Sequence, residues 1–323
     1  MLIGFDVVVA PGFVLTEYAA VVDTLRIANR VSAQPVFTWT VRSARGGWVS
    51  SSSGAAVETQ RFEDRPDADY LFVVGNSDQD SPDLAMGSVI DRYTNRGCKA
   101  FLLAEAASRY IKDRGATAAH LSTHWENSAV LRERAGLFEL DHVIARVDGQ
   151  VVTCAGMGAT MDVVLAVVGQ HISSAALMTV ANIFLHERIR DFATRQPFGG
   201  TAGTATGDPI LDRAIEIMQD NIEEPLAVAE VTRQLGVSSR SLERRFRAWL
   251  QTTPNTYYRE MRLARANNLL LNTRLSVREI GLACGFSTGF SVLYKRFFGV
   301  TPLQMRRRQR EGSSGGSTEN SGE

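Results

Sequence analysis

Dense apolar runs of strand length alternate with helical-period segments over the first two-thirds of the 323-residue chain. The strand candidates are 2–10, 36–43, 69–75, 99–105, 142–147 and 150–156. The helical stretches are 15–29, 83–96, 107–114, 125–135 and 158–187. Near-continuous apolar strands separated by helices predict a parallel sheet covered on both faces. Ligands of such sheets sit beyond the carboxyl ends of the strands. The stretch 192–207 is rich in Gly and Thr and has no apolar period, which predicts a flexible linker. From Asp208 the pattern is helical, and the polar, low-complexity end of the chain predicts a disordered tail. The organisation expected is an α/β domain over 1–190, a linker over 191–208, an all-α domain over 209–310 and a tail over 311–323.

The helical third repeats itself. Leu226-Ala-Val-Ala-Glu-Val231 aligns with Leu275-Ser-Val-Arg-Glu-Ile280, and Gly236-Val-Ser-Ser239 with Gly285-Phe-Ser-Thr288. Leu242, Phe246, Leu250 and Thr253-Pro254 align with Phe290, Tyr294, Phe298 and Thr301-Pro302. A period of this length matches one supersecondary unit. Each copy reads as helix, tight glycine turn, helix, which is the helix-turn-helix pattern. Ser276 and Glu279 have capping-box spacing at the start of the second copy. In copy one, Leu242, Phe246, Trp249 and Leu250 share a core face, and Arg240, Glu243, Arg244 and Arg247 lie opposite. Arginine can bond both guanine O6 and N7 in a major groove, and glutamate can accept from cytosine N4. An ordinary amphipathic helix with a charged exterior is the plainer alternative. Between the copies, 256–272 reads as one helix that would hold the two units apart. Arg259, Arg262 and Arg265 on it, and Arg306-Arg307-Arg308 and Arg310 beyond the last helix, are candidates for phosphate contact or for a solvated basic face.

Charge separates the two halves. Residues 209–310 carry 17 Lys+Arg against 9 Asp+Glu, whereas 1–208 carry 18 against 23. A basic block joined to an acidic one is expected where one half meets a polyanion. Cys98, Cys154 and Cys284 are scattered, without disulfide or zinc spacing, and no histidine shows metal-ligand spacing. Neither a metal nor a cofactor is expected, and the cysteine usage fits a reducing cytoplasm. Charged or polar residues interrupt every apolar run, so no membrane span is expected.

The helical block resembles the AraC/XylS family of regulators. The resemblance covers 209–310 and rests on Ser239-Arg-Ser-Leu-Glu-Arg-Arg-Phe246, Arg262-Leu-Ala-Arg265, Ile280-Gly-Leu-Ala-Cys-Gly-Phe286 and Phe298-Gly-Val-Thr-Pro302. It implies promoter binding, usually activation, through both recognition helices. The DNA-contact set expected is Ser239, Arg240, Glu243, Arg244 and Arg247 in copy one, with Ser287, Thr288, Ser291 and Lys295 in copy two. Copy two is two residues shorter than the family pattern, and Val292 stands where copy one has Arg244. Weaker base reading by copy two follows.

The first domain is similar to the class I glutamine-amidotransferase-like (PfpI-like) superfamily, in its version fused to AraC-type regulators. Pro11-Gly12-Phe13, Glu17, Arg26 to Asn29, Ser51-Ser-Ser-Gly54, Thr123-His124-Trp125, Ala155-Gly156 and Asp162 carry that resemblance. It implies a flavodoxin-like parallel sheet sandwich, with a nucleophilic cysteine at a sharp elbow in the enzymes. Counting back from Thr123-His124 places the elbow at Ala104, which has no nucleophile. Cysteine catalysis is therefore not expected. The same crevice is expected to become an effector pocket formed by Glu17, Ala104, Glu105, His124 and Trp125, suited to an amino acid or amine through charge and ring-face attraction.

The reading is a cytoplasmic, metabolite-responsive transcription regulator. Its expected partners are double-stranded promoter DNA, a small-molecule effector, RNA polymerase and a second copy of the chain. Two alternatives stay open: an amidotransferase-like enzyme that binds DNA for self-regulation, and a first domain that only dimerises.

Overall fold

In a computed structural model the chain divides into two compact units, Met1–Gln196 and Pro197–Glu323. The structure describes residues 2–78, 80–115, 120–135, 142–196, 206–273 and 275–314.

Unit 1 is an α/β sandwich. In chain order its elements are β1 (Ile3–Val8), α1 (Leu15–Val31), β2 (Phe37–Ser43), β3 (Gly47–Ser50), β4 (Ala56–Arg61) and β5 (Tyr70–Val73). After a 3-10 turn at Pro82–Leu84 come α2 (Gly87–Thr94), β6 (Lys99–Leu103), α3 (Ala104–Arg114), α4 (Trp125–Ala135), β7 (Ala145–Asp148), β8 (Val151–Cys154), α5 (Ala159–Val168) and α6 (Ser174–Ile183). The sheet order is β3-β4-β2-β1-β5-β6-β8-β7. The six strands from β4 to β8 in that order pair in parallel, and β3 and β7 close the two edges antiparallel.

Alternation along each strand feeds two cores. Phe5, Val7, Phe101 and Leu103 pack on the face covered by α1 and α5. Val8, Ala100 and Leu102 pack on the face covered by α2. Both faces of the central strands are thus dry, which is why their sequence reads as unbroken apolar runs. An ion pair lies inside: Arg42 Nε donates to buried Asp6 at 2.6 Å, and Tyr93 Oη donates to the same oxygen at 2.5 Å.

Two expectations for unit 1 need correction, and a third, the helical stretch 158–187, is refined. β7 is antiparallel to β8, because only Gly149 and Gln150 join them and a parallel crossover needs a dozen residues or more. The apolar stretch 158–187 is two helices. It breaks at 169–173, where the Ser173 hydroxyl accepts from Ala176 N–H and starts α6. Residues 191–196, expected in the linker, belong to unit 1. Ile144 N–H donates to Thr194 O at 2.8 Å, and Gln196 is buried with its amide bonded to Thr123 O and Val143 O. Of the expected linker, 197–205 lies outside the described residues.

Unit 2 is all helical: α7 (Pro209–Asp220), α8 (Val228–Leu235), α9 (Ser239–Leu250), α10 (Pro254–Asn272), α11 (Val277–Ala283), α12 (Phe290–Phe298) and α13 (Pro302–Ser314). The expected tail from 311 starts inside α13, and 315–323 lie outside the described residues. The local chemistry is legible at the helix starts. Asp208 accepts from Ile210 and Leu211 N–H, with Pro209 as the first helical residue. Thr253 and Thr301 play the same part ahead of Pro254 and Pro302.

Candidate nucleic-acid interface and elbow site

Two helix-turn-helix units, α8–α9 and α11–α12, flank α10. In the first, α8 ends on Gly236 in the left-handed conformation, and the Ser238 hydroxyl caps α9 by accepting from Ser241 N–H at 3.2 Å. Leu242 and Phe246 are fully buried. Ser239, Arg240, Glu243, Arg244 and Arg247 are all exposed. Among the described residues, none of the last four has a side-chain hydrogen bond or ion pair. Four unpaired side chains on one helix face, three of them cationic, form a surface ready for an outside partner. Trp249, expected in the core, is 55% exposed; it lies one step beyond the buried stripe set by Leu242 and Phe246. Arg245 is the exception among the helix's arginines. It pairs with Asp208 and fastens α9 to the start of α7.

In the second unit the capping box is present, with Ser276 N–H donating to Glu279 at 2.7 Å and Glu279 N–H to the Ser276 hydroxyl at 3.2 Å. The turn is on Gly285, at φ +70°. A Cβ there would stand 2.5 Å from the Pro225 ring, so close packing as well as backbone conformation requires glycine. Gly289 starts α12 without a side-chain cap. Phe290 and Tyr294 are buried, and Ser287, Thr288, Ser291 and Lys295 are exposed. Val292 is 74% exposed at the place Arg244 holds in copy one.

Two arginines proposed for phosphate contact instead hold the unit together. Arg262 donates to Cys284 O and Gly285 O at 2.9 and 3.0 Å, and its guanidinium lies 4.1 Å from the Phe286 ring centroid. Arg306 donates to Leu270 O and Leu275 O at 3.2 and 2.7 Å. Both satisfy carbonyls left open at helix ends and turns. Arg259, unlike Arg262 and Arg265, is exposed.

In unit 1 the elbow is present without its nucleophile. Ala104, between β6 and α3, has φ +40°, a conformation that costs a non-glycine residue roughly 1–3 kcal/mol. Two glycines make room for it. A Cβ on Gly156 would stand 2.5 Å from the Ala104 methyl, and one on Gly75 would stand 2.6 Å from Glu105 Oε2. Glu17 is fully buried beside them, accepting from Gly75 N–H at 2.8 Å and Met157 N–H at 2.7 Å. Glu105 accepts from Asn76 N–H at 3.1 Å and Asn127 Nδ2 at 3.2 Å. The Ala104 carbonyl accepts from the hydroxyls of Ser108 and Thr123.

The structure therefore gathers Glu17, Ala104 and Glu105. Burial closes Glu17 off from solvent, and each of its oxygens already holds a backbone N–H. His124 lies 3.7 Å from Glu126, and burial lowers its pKa. Its ring is 5.5 Å from that of half-buried Trp125, whose backbone N–H donates to Gln196 Oε1. Gly75, Asn76, Asn127 and Ser108 were not anticipated, because their roles arise from segments that meet only in the fold. Cys98, Cys154 and Cys284 are buried, and burial pushes all three thiols up, those of Cys98 and Cys284 to about 12. Among the described residues no group of three or more His, Cys, Asp or Glu could hold a metal ion, and no helix is long and apolar enough to cross a membrane.

Comparison with known proteins adds the family. A model of the helix-turn-helix domain matches residues 231–308. The transcriptional regulator GbdR of Pseudomonas aeruginosa is 29% identical over 92% of this chain and 82% of its own. The helix-turn-helix-type transcriptional regulator GlxA of Rhizobium meliloti is 31% identical over 92% of this chain and 93% of its own. The chain belongs to the AraC-type helix-turn-helix transcriptional regulators. A solved AraC family transcriptional regulator from Pseudomonas putida is 20% identical, covers 56% of this chain and 99% of its own, and has a TM-score of 0.47.

The buried carboxyl of this regulator has a measurable consequence. Burial, reinforced by the Glu105 charge, raises the Glu17 pKa to about 7 despite the two N–H donors. A carboxyl whose folded pKa lies above its unfolded value favours folding below the unfolded pKa. That advantage is lost as pH rises through about 7. Relative to Glu17→Gln, the wild-type chain should lose on the order of 3 kcal/mol of unit 1 stability between pH 4.5 and pH 8. Urea denaturation at several pH values checks this. Parallel curves for the two proteins would show that Glu17 takes up no proton on folding.

Proposed function

We propose that this regulator is a sequence-specific activator that reads a promoter mainly through α9, with α12 as a weaker reader. Unit 1 would take up a small metabolite, an amino acid or amine, and pair two copies of the chain. RNA polymerase is the further partner that an activator needs, and the cytoplasm is where these partners meet. The observation that carries the reading is the outward face of α9. Arg240, Glu243, Arg244 and Arg247 are exposed and, among the described residues, unpaired, while Leu242 and Phe246 anchor the opposite face. A major groove accepts such a helix, and these side chains match its donor and acceptor pattern. At 1.5 Å per residue the 19-residue α10 is about 28 Å long, near the turn-to-turn spacing of the groove, so one chain can address two adjacent segments.

A regulatory, non-catalytic unit 1 is supported by the methyl group at the elbow and by the burial of its two thiols, Cys98 and Cys154. Pairing is supported by the outer side of α6 and its end, where Met178, Ile183 and Leu185 are 52%, 40% and 87% exposed. Two copies would carry two reading blocks to paired half-sites. The test is selection of binding sites by the full chain from a pool of random duplexes. One enriched sequence should emerge, bound with an affinity that falls steeply with salt. Equal retention of all duplexes at every salt concentration would refute the reading.

A further inference from the structure

Unit 1 has an open cleft that shares no residue with the elbow. Its volume is about 290 Å³, and it lies past the carboxyl ends of β1 and β2, with Asp83 and Met86 from the connection after β5. This is a privileged place in the sheet. β1 is followed by α1, which covers one face, whereas β5 is followed by the turn at Pro82–Leu84 and α2, which cover the other. The two connections diverge and leave a crevice between them, where open α/β sheets bind their ligands.

The lining has a definite chemistry. Val49 and Met86 are nearly fully buried and give an apolar floor. Trp48 stands at the rim, 73% exposed, on the edge strand β3. The charged groups lining the cleft are Arg45 and Asp83, of opposite sign. Among the described residues, neither has a side-chain hydrogen bond or ion pair. A cation and an anion left unpaired on one concave surface are matched by a molecule that carries both charges. The cleft holds roughly ten water-sized groups, enough for a compact metabolite and too few for a peptide segment.

We infer that this cleft is the effector site, and that its ligand is a small zwitterion whose carboxylate meets Arg45 and whose ammonium group meets Asp83 and the Trp48 ring. Guanidinium and carboxylate form strong two-point contacts, and an indole face attracts a cation. The inference rests on the regulatory reading of unit 1 and moves its ligand out of the closed elbow. A hydrogen-bond path joins the two places. The Pro11 carbonyl in the cleft wall accepts from Asn76 Nδ2 at 2.8 Å, and Asn76 N–H donates to Glu105 beside Ala104.

The experiment is calorimetric titration of the full chain with glycine, L-alanine, γ-aminobutyrate and glycine betaine. Butyrate and tetramethylammonium serve as single-charge controls. At least one zwitterion should saturate a site and bind about tenfold or more tightly than either control. Arg45→Gln, Asp83→Asn and Trp48→Leu should each weaken that zwitterion by a similar factor, with unchanged circular dichroism, while Glu17→Gln retains it. Duplex binding without ligand is measured on the same proteins and should be unchanged in all four variants. The inference is overturned if no zwitterion saturates, if a control binds as tightly, or if Glu17→Gln abolishes binding while the cleft variants keep it. Absence of duplex binding in the wild-type chain would instead defeat the regulatory reading, whatever the cleft does.

Discussion

Arg244→Ala should weaken binding to the selected duplex by about 1–3 kcal/mol, a loss of roughly 5- to 150-fold, and relax preference at one base pair. The side chain is exposed on α9 and pairs with nothing among the described residues, so its removal takes no support from the fold. Val292→Ala, at the matching place on α12, should change affinity by less than about 1 kcal/mol, because valine offers no hydrogen bond to a base edge. Fluorescence anisotropy on the selected duplex and on single-base variants measures both effects. An equal loss for Arg244→Ala on specific and scrambled duplexes would reduce Arg244 to a phosphate contact. A larger loss for Val292→Ala than for Arg244→Ala would reverse the ranking of the two helices.

Asp162→Ala should destabilise unit 1 by about 3 kcal/mol. Asp162 is fully buried in the first turn of α5, and its two oxygens meet four groups. Oδ1 accepts from Arg190 N–H at 2.7 Å and lies 2.9 Å from His186 Nε2. Oδ2 accepts from Arg190 Nε and Nη2 at 3.0 and 2.7 Å. The carboxylate thus ties down the segment that follows α6 and leads to the end of unit 1. Its loss leaves the partly buried guanidinium with one carbonyl contact, at 3.4 Å to Gly158 O. The midpoint of urea unfolding gives the size of the effect. A change below about 1 kcal/mol would mean that this segment is held by its apolar contacts alone.

Unit 2 was the more legible half because its sequence repeats the same physical demand twice. Leu242 with Phe246, and Phe290 with Tyr294, recur at helical spacing and are buried in both copies. Gly236 and Gly285 recur where the chain must turn left-handed. The parallel core of unit 1 was readable because strands buried on both faces leave no polar positions. Its edge was not. β3 and β4 carry Gly47-Trp-Val-Ser50 and Ala56-Val-Glu-Thr-Gln-Arg61, mostly exposed and too polar to read as strands.

The same reasoning explains the misassigned arginines. Arg262 and Arg306 look like any other basic residue on a helix, and only the fold brings unsatisfied carbonyls to them. At the elbow, counting along the chain located Ala104. The need for bare glycine at positions 75 and 156 comes from segments far apart in sequence. The opposed charges of Arg45 and Asp83 were hidden for that reason too: 38 positions separate them along the chain.

The central claim is that one chain places two reading helices of unequal strength on adjacent turns of the same duplex. Hydroxyl-radical footprinting of the full chain on the selected duplex tests it most directly. Two protected segments should appear about 34 Å apart for each chain bound, with the sharper base preference in the segment that Arg244→Ala disturbs. A single protected segment per chain, or protection that ignores sequence in both, would contradict it.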